Sequence, residues 1–117
     1  KLATNLDLFV TKKVVLGAAL ATGPKLLLLD EPMAGYSHVE IRAYLDLVAR
    51  IREAWGTTVI IIEHLLDVLI GVSDRMLILH NGSVLYQGEP EDVKDHERVV
   101  DVYLGGGIDE GSTGAAG

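Results

Sequence analysis

The 117-residue sequence predicts an α/β fold: a parallel β-α-β core followed by a β-hairpin and short helices. Three observations carry this. Two short apolar runs, residues 25–30 and 57–63, flank a long segment whose apolar residues recur at helical spacing. Ser37 and Glu40 have the S-x-x-E spacing of a capping box, which marks where that helix starts. Asn81-Gly82 then sits between two further apolar runs, the strongest short-range signal of a hairpin.

The elements follow in order. Residues 6–21 read as a helix, with Leu6, Val10, Val14, Gly17 and Ala21 at helical period, stopped by Gly23-Pro24. Residues 25–30 end in LLLLD, a run apolar on both sides that suits a strand buried on both faces of a parallel sheet. The helix that begins at Ser37 carries a stripe of Ile41, Tyr44, Leu45, Val48 and Ile51, and Gly56 ends it in the left-handed conformation. Residues 57–63, rich in β-branched side chains, form the second strand. A strand, a helix and a strand in that order call for parallel pairing through a right-handed crossover. A short helix follows over residues 65–71, then a hairpin from residues 75–80 and 83–87. Glu89-Pro90-Glu91-Asp92 reads as a helix start with its acids near the positive end. Residues 99–104 form a last short helix, and 105–117, rich in glycine, form a flexible tail. No internal repeat is present.

Composition excludes several classes. Hydrophobic residues make up 49% and charged residues 23%, as in a globular protein with a core. The longest apolar run, around residues 57–62, is far shorter than the ~20 residues that cross a bilayer. Lys1 and the Lys12-Lys13 pair flank no cleavable apolar segment, so no signal peptide is expected. The absence of cysteine removes disulfides and thiolate metal sites and fits a cytoplasmic location. A net charge of −7, with Glu89, Glu91, Asp92, Asp95, Glu97 and Asp101 clustered late, argues against nucleic acid or an anionic membrane face as the main partner. Such a cluster also serves simply as a solvated acidic surface.

The chemistry concentrates at the strand ends. Asp30 and Glu31 fall where the first buried strand emerges at its C-terminal end, the edge at which open α/β sheets bind ligands. A carboxylate there suits Mg²⁺, a hard cation that takes oxygen ligands. A second one beside it suits a water poised for in-line attack on a phosphoryl group. The two acids alone would better suit a strand that simply ends at a solvated loop. His64 changes the balance, because it emerges one crossover later at the same edge, where an imidazole can bond a terminal phosphate oxygen or the attacking water.

LLLLDEP, then Met33-Ala34-Gly35-Tyr36-Ser37, then TVIIIEH, then SDRMLIL-HNGSVLYQG-EPEDV resembles the nucleotide-binding domain of ABC transporters, in order and over nearly all of residues 1–104. ALATGPKLLLLDEPMAG, the IEH ending and DRMLILHNG are most similar to the branch that imports branched-chain amino acids. The resemblance implies the C-terminal part of an ABC-type ATPase, a partial P-loop NTPase-like sheet, with ATP and Mg²⁺ as cofactors of the intact protein. It implies that Asp30 is the Walker B aspartate acting on the metal, Glu31 the catalytic carboxylate orienting water, and His64 the switch histidine at the γ-phosphate. Ala34, Gly35, Tyr36 and Ser37 match the D-loop at the dimer interface. Asp7, Leu8 and Phe9 match the signature motif that meets the partner's ATP. The implied partners are a second ATPase subunit, identical or not, and membrane permease subunits, which would place the protein peripherally on the cytoplasmic face.

Some positions depart from the family. The sequence contains no G-x-x-x-x-G-K-[ST], the glycine-rich nest and lysine that hold phosphates, so this chain alone is expected to be inactive. LDLFV stands where LSGGQ is usual: Asp7 replaces the serine, and Leu8 and Phe9 replace the glycines that let backbone approach phosphate. Asp7 serves equally well as an ordinary helix N-cap. Ala18 stands at a usual arginine, and Ser37 at the D-loop aspartate, where serine caps as well. A different class of function is a non-catalytic interaction module or a degenerate remnant that kept the fold and lost ATP. Bare sheet edges and apolar faces would favour self-association.

Overall fold

A computed structural model describes residues 7–105, which form two compact units, one up to His64 and one from Leu65. Leu6 and residues 106–117, most of the expected tail, lie outside the described residues.

In the first unit, α1 (Leu8–Leu20) is followed by β1 (Leu26–Asp30), α2 (His38–Trp55) and β2 (Thr58–Ile62). The expected β-α-β unit is present: β1 and β2 pair in parallel, from Leu26 opposite Thr58 to Asp30 opposite Ile62. Both halves of the capping box form at α2. The Ser37 hydroxyl accepts from the Glu40 N–H, and the Glu40 carboxylate accepts from the Ser37 N–H. At the other end Gly56 is left-handed, φ 65°, and its N–H donates to the Arg52 carbonyl. Ile41, Tyr44, Leu45 and Val48 are buried, as the stripe predicts.

Two expectations for this unit need correction. The stripe read along α1 is not its inner face: Val14 is exposed, whereas Leu16 and Leu20 are buried. The helix LFVTKKVVLGAAL is apolar on almost every side, so periodicity cannot select the face and packing decides it. The strands are also not buried on both faces. Opposed residues in a parallel pair share a face, and Leu26, Leu28, Ile60 and Ile62 are exposed, Leu28 by 65%. Leu27 is buried on the other face. Helices in this unit therefore cover one side of a sheet whose sequence is written for two.

The second unit comprises α3 (Leu66–Ile70), β3 (Met76–His80), β4 (Ser83–Gly88), a 3-10 helix (Pro90–Asp95) and α4 (Glu97–Val99), which runs into a π-helical turn (Val100–Gly105). β3 and β4 pair antiparallel around Asn81-Gly82, both with positive φ (49° and 77°), as a type I′ turn requires. A register shift after Ile78 takes pairing from Tyr86 to Val84, leaving Leu85 as the extra residue of a bulge. The expected helix at Glu89-Pro90 is a 3-10 helix, and the last helical segment begins at Glu97, two residues before its expected start. Gly105 closes that segment. Met76, Ile78, Leu85, Val93 and Val99 make the core, with Leu66, Leu69 and Ile70 of α3 packed against it.

Candidate functional site

The C-terminal ends of β1 and β2 bring the predicted site residues together. Parallel pairing in register makes both strands finish at one edge, so Asp30-Glu31 and Glu63-His64 leave the sheet side by side. Glu31 is bound to that edge by its own backbone, its N–H donating to the Ile62 carbonyl at 2.8 Å. It is also left-handed, φ 45°. A non-glycine residue there costs about 1–2 kcal/mol, and such residues cluster where surrounding structure holds a functional group in place. The strained turn lifts the Glu31 carboxylate into solvent, with Oε1 4.0 Å from His64 Nδ1.

Asp30 shares the exposed sheet face with Ile62. Among the described residues no group of three His, Cys, Asp or Glu is placed to hold a metal ion. Asp30 and Glu31 are oxygen donors of the kind Mg²⁺ takes, one or two carboxylates with the remaining ligands from phosphates and water. Asp30 and Glu31 border an open groove of about 410 Å³, whose walls include Lys12, Leu16, Leu28 and Tyr44.

The loop after Glu31 is held from several sides. Gly35 has φ 82°, and a Cβ there would come within 2.8 Å of Leu8 Cδ2. Lys12 Nζ donates to the Ala34 carbonyl at 2.9 Å and lies 5.1 Å from the centre of the Tyr36 ring. Tyr36 packs edge-to-face on Phe9 and on Tyr44. Burial pushes the Tyr36 hydroxyl up from its ordinary value, and the nearby Glu40 and Asp7 carboxylates add to this. The Ala34–Ser37 stretch and the start of α1 thus form one packed cluster. Asp7 caps α1, its carboxylate accepting from the Val10 N–H at 2.8 Å. Leu8 and Phe9 are occupied against Gly35 and Tyr36.

Sequence reasoning passed over Glu63. Its side chain is fully buried, and its Oε1 accepts from the Met33 N–H at 3.0 Å. Strand parity carried the signal: Val59 and Ile61 occupy the covered face of β2, so an acid at position 63 continues inward rather than outward. The partner, 30 positions away in sequence, had no such signal.

No family model matches the sequence. The chain is 33% identical to LivG, the high-affinity branched-chain amino acid transport ATP-binding protein of Salmonella typhimurium, over 88% of its own length and 40% of LivG. It is 32% identical to BraF of Pseudomonas aeruginosa, a protein of the same description, over 80% of the chain and 37% of BraF. Among solved structures it superposes on MJ1267, an ATP-binding cassette of an ABC transporter, with TM-score 0.77 and 30% identity, covering 86% of the chain and 41% of that structure. CbiO1 of Clostridium perfringens, part of an ABC transporter complex, gives TM-score 0.76 and 28% identity over 87% of the chain and 42% of that structure. The chain therefore spans about two fifths of the length of these relatives. Its homologues are ATP-binding proteins of branched-chain amino acid transport, and its structural neighbours are ATP-binding cassettes.

Proposed function

We propose that this chain, which belongs by homology with the ATP-binding subunits of ABC transporters, supplies the hydrolytic edge of an ATPase that drives import of branched-chain amino acids. The observation that carries the reading is the strand-end cluster: Asp30 and Glu31 leave β1 beside His64 after β2, with Glu31 and His64 4.0 Å apart. Asp30 is the group that would hold Mg²⁺, which when bound neutralises charge on the phosphates. Glu31, an exposed carboxylate on a strained turn, orients the attacking water and takes up its proton. His64 meets the attacking water or the terminal phosphate, according to which of its nitrogens carries the proton. Ala34, Gly35, Tyr36 and Ser37 lie toward a second ATPase subunit, identical or not, and Asp7, Leu8 and Phe9 toward that subunit's nucleotide. The remaining partners are permease subunits in the cell membrane, which puts the protein on its cytoplasmic face.

The 117 residues contain no glycine-rich phosphate loop, and a carboxylate edge without one holds Mg-ATP poorly. Calorimetry tests this directly, with Mg-ATP titrated into the chain and into a version extended at its N-terminus through such a loop. Binding by the extended version alone supports the reading. Binding by neither moves the assignment to a non-catalytic interaction module, for which the capped Asp7 and occupied Leu8 and Phe9 would speak. Tight binding by the 117 residues alone would sink the requirement for the loop.

A further inference from the structure

A buried carboxylate is costly unless its oxygens are paired, and Glu63 pairs only one. Its side chain has no solvent exposure. Oε1 accepts from the Met33 N–H at 3.0 Å, while Oε2 is buried with no hydrogen-bond partner. An orphan of this kind in a folded protein asks for an explanation. The group beside it is His64, whose Nδ1 stands 3.7 Å from Oε2. An approach of well under 1 Å brings the pair to ordinary N–H···O length.

We propose that Glu63 is a positioning residue, one buried carboxylate that ties the backbone following Glu31 to the imidazole of His64. Oε1 fixes Met33, where the Ala34–Ser37 loop begins, and Oε2 takes the Nδ1 proton of His64. An ionised carboxylate only accepts hydrogen bonds, so this contact requires Nδ1 to be the protonated nitrogen. Nε2 is then unprotonated, an acceptor left to take a hydrogen bond from the attacking water rather than to give one to a phosphate oxygen. A histidine whose second nitrogen is fixed in this way has a defined tautomer and ring orientation, and the outer partner sets both. Glu31 Oε1, 4.0 Å from the same Nδ1, lies on the exposed side and competes with water for it. The buried oxygen is closed to bulk solvent, so the geometry favours Glu63 as the fixed partner. The tautomer follows from this geometry alone; its value in turnover rests on the ATPase reading.

Nitrogen-15 spectra of the imidazole side chains in this chain provide the test, with the His64 signals assigned by their loss in His64→Gln. The expected result is His64 mainly in the Nδ1–H form. Glu63→Gln sharpens it, because the amide oxygen can still accept from Met33 while the –NH₂ now donates toward Nδ1. His64 should then change to the Nε2–H form with the Met33 amide shift nearly unmoved. A wild-type spectrum dominated by Nε2–H overturns the proposal without any variant. So does a Glu63→Gln spectrum with an unchanged tautomer and an unmoved Met33 amide. In the intact ATPase, Glu63→Gln should lower kcat about 10–100-fold, the range known for a metal-bound histidine that loses the outer partner orienting it, with little change in KM for ATP. Full kcat alongside an inverted tautomer would overturn the role in turnover. Failure of the ATPase reading has its own mark, unchanged turnover in Glu31→Gln, and leaves the tautomer result intact.

Discussion

Glu31 and Asn81 are the non-glycine residues with positive φ among those described, at 45° and 49°, and they reach that conformation for opposite reasons. Asn81 stands beside Gly82 in a two-residue hairpin turn whose geometry demands positive φ at both positions. Asparagine tolerates the left-handed region better than most residues, so local chemistry accounts for it completely. Glu31 has no such tolerance and no turn rule that requires it. Its conformation is imposed by a hydrogen bond to the neighbouring strand, through the Ile62 carbonyl, and by the loop held behind it at Met33. The first is a turn residue doing what turn residues do. The second stores strain at a place where the carboxylate stands clear of the sheet.

The largest effect that separates the two positions lies in turnover. On the ATPase reading proposed above, Glu31→Gln in the full-length protein should cut kcat by about 10²–10⁴-fold, the range for removing a positioned acid or base, while ATP binding persists. Asn81→Gly should leave turnover unchanged. Steady-state ATPase assays with calorimetric binding decide this, and equal activity for wild type and Glu31→Gln would remove Glu31 from its assigned role.

The second effect concerns Tyr44, which lines the same groove as Glu31. Tyr44 is 2% exposed, and its hydroxyl is pushed up to about 12, by burial first and then by Tyr36 and Glu63 nearby. The folded value lies above the ordinary 10.0, so the protonated phenol favours the fold. That contribution is whole below pH 10 and is lost as pH rises toward about 12. Urea unfolding across this window should show a fall in stability that is smaller in Tyr44→Phe. An identical fall in both would place the alkaline weakness elsewhere.

These sites also show what the sequence made legible. The parallel pairing, the Ser37–Glu40 box, the Gly56 cap and the Asn81-Gly82 turn all rest on residues close together in the chain, whose preferences are local. The alignment of Asp30-Glu31 with His64 was legible too, because one crossover fixes which strand ends meet. Three features were not. The inner face of α1 could not be chosen, since Val14 and Leu16 are equally apolar and only one is buried. The bare face bearing Leu28 and Ile60 reflects which layers this chain contains, a matter of packing rather than pattern. Glu63 finds its partner at Met33, and Glu31 its strain at Ile62, through contacts that no local rule encodes.

Ser37 falls between the two cases, a legible local device placed in the same unit as Glu31. Ser37→Ala removes the oxygen that accepts from the Glu40 N–H at 3.2 Å and should cost about 1 kcal/mol. The strand-end cluster of Asp30, Glu31 and His64 should be undisturbed, so the His64 imidazole spectrum serves as a control. A cost near zero would mean that α2 is held by its buried stripe alone.

The smallest effect is the most discriminating. Glycine relieves left-handed strain of about 1–2 kcal/mol where a side chain bears it, and gives back about 0.5–1 kcal/mol through the greater freedom of the unfolded chain. Glu31→Gly should therefore raise stability by about 0.5–1 kcal/mol. The contact it loses with His64 is solvent-exposed and offsets little of this. Asn81→Gly should change stability by less, because asparagine carries little strain to relieve. Urea midpoints of the two variants, measured with m-values to verify an unchanged unfolded state, give the comparison. If Glu31→Gly is destabilising while Asn81→Gly is neutral, the Glu31 turn is supported by its side chain rather than strained by it. The carboxylate would then be part of what shapes the strand end, and its exposure would no longer require a functional explanation.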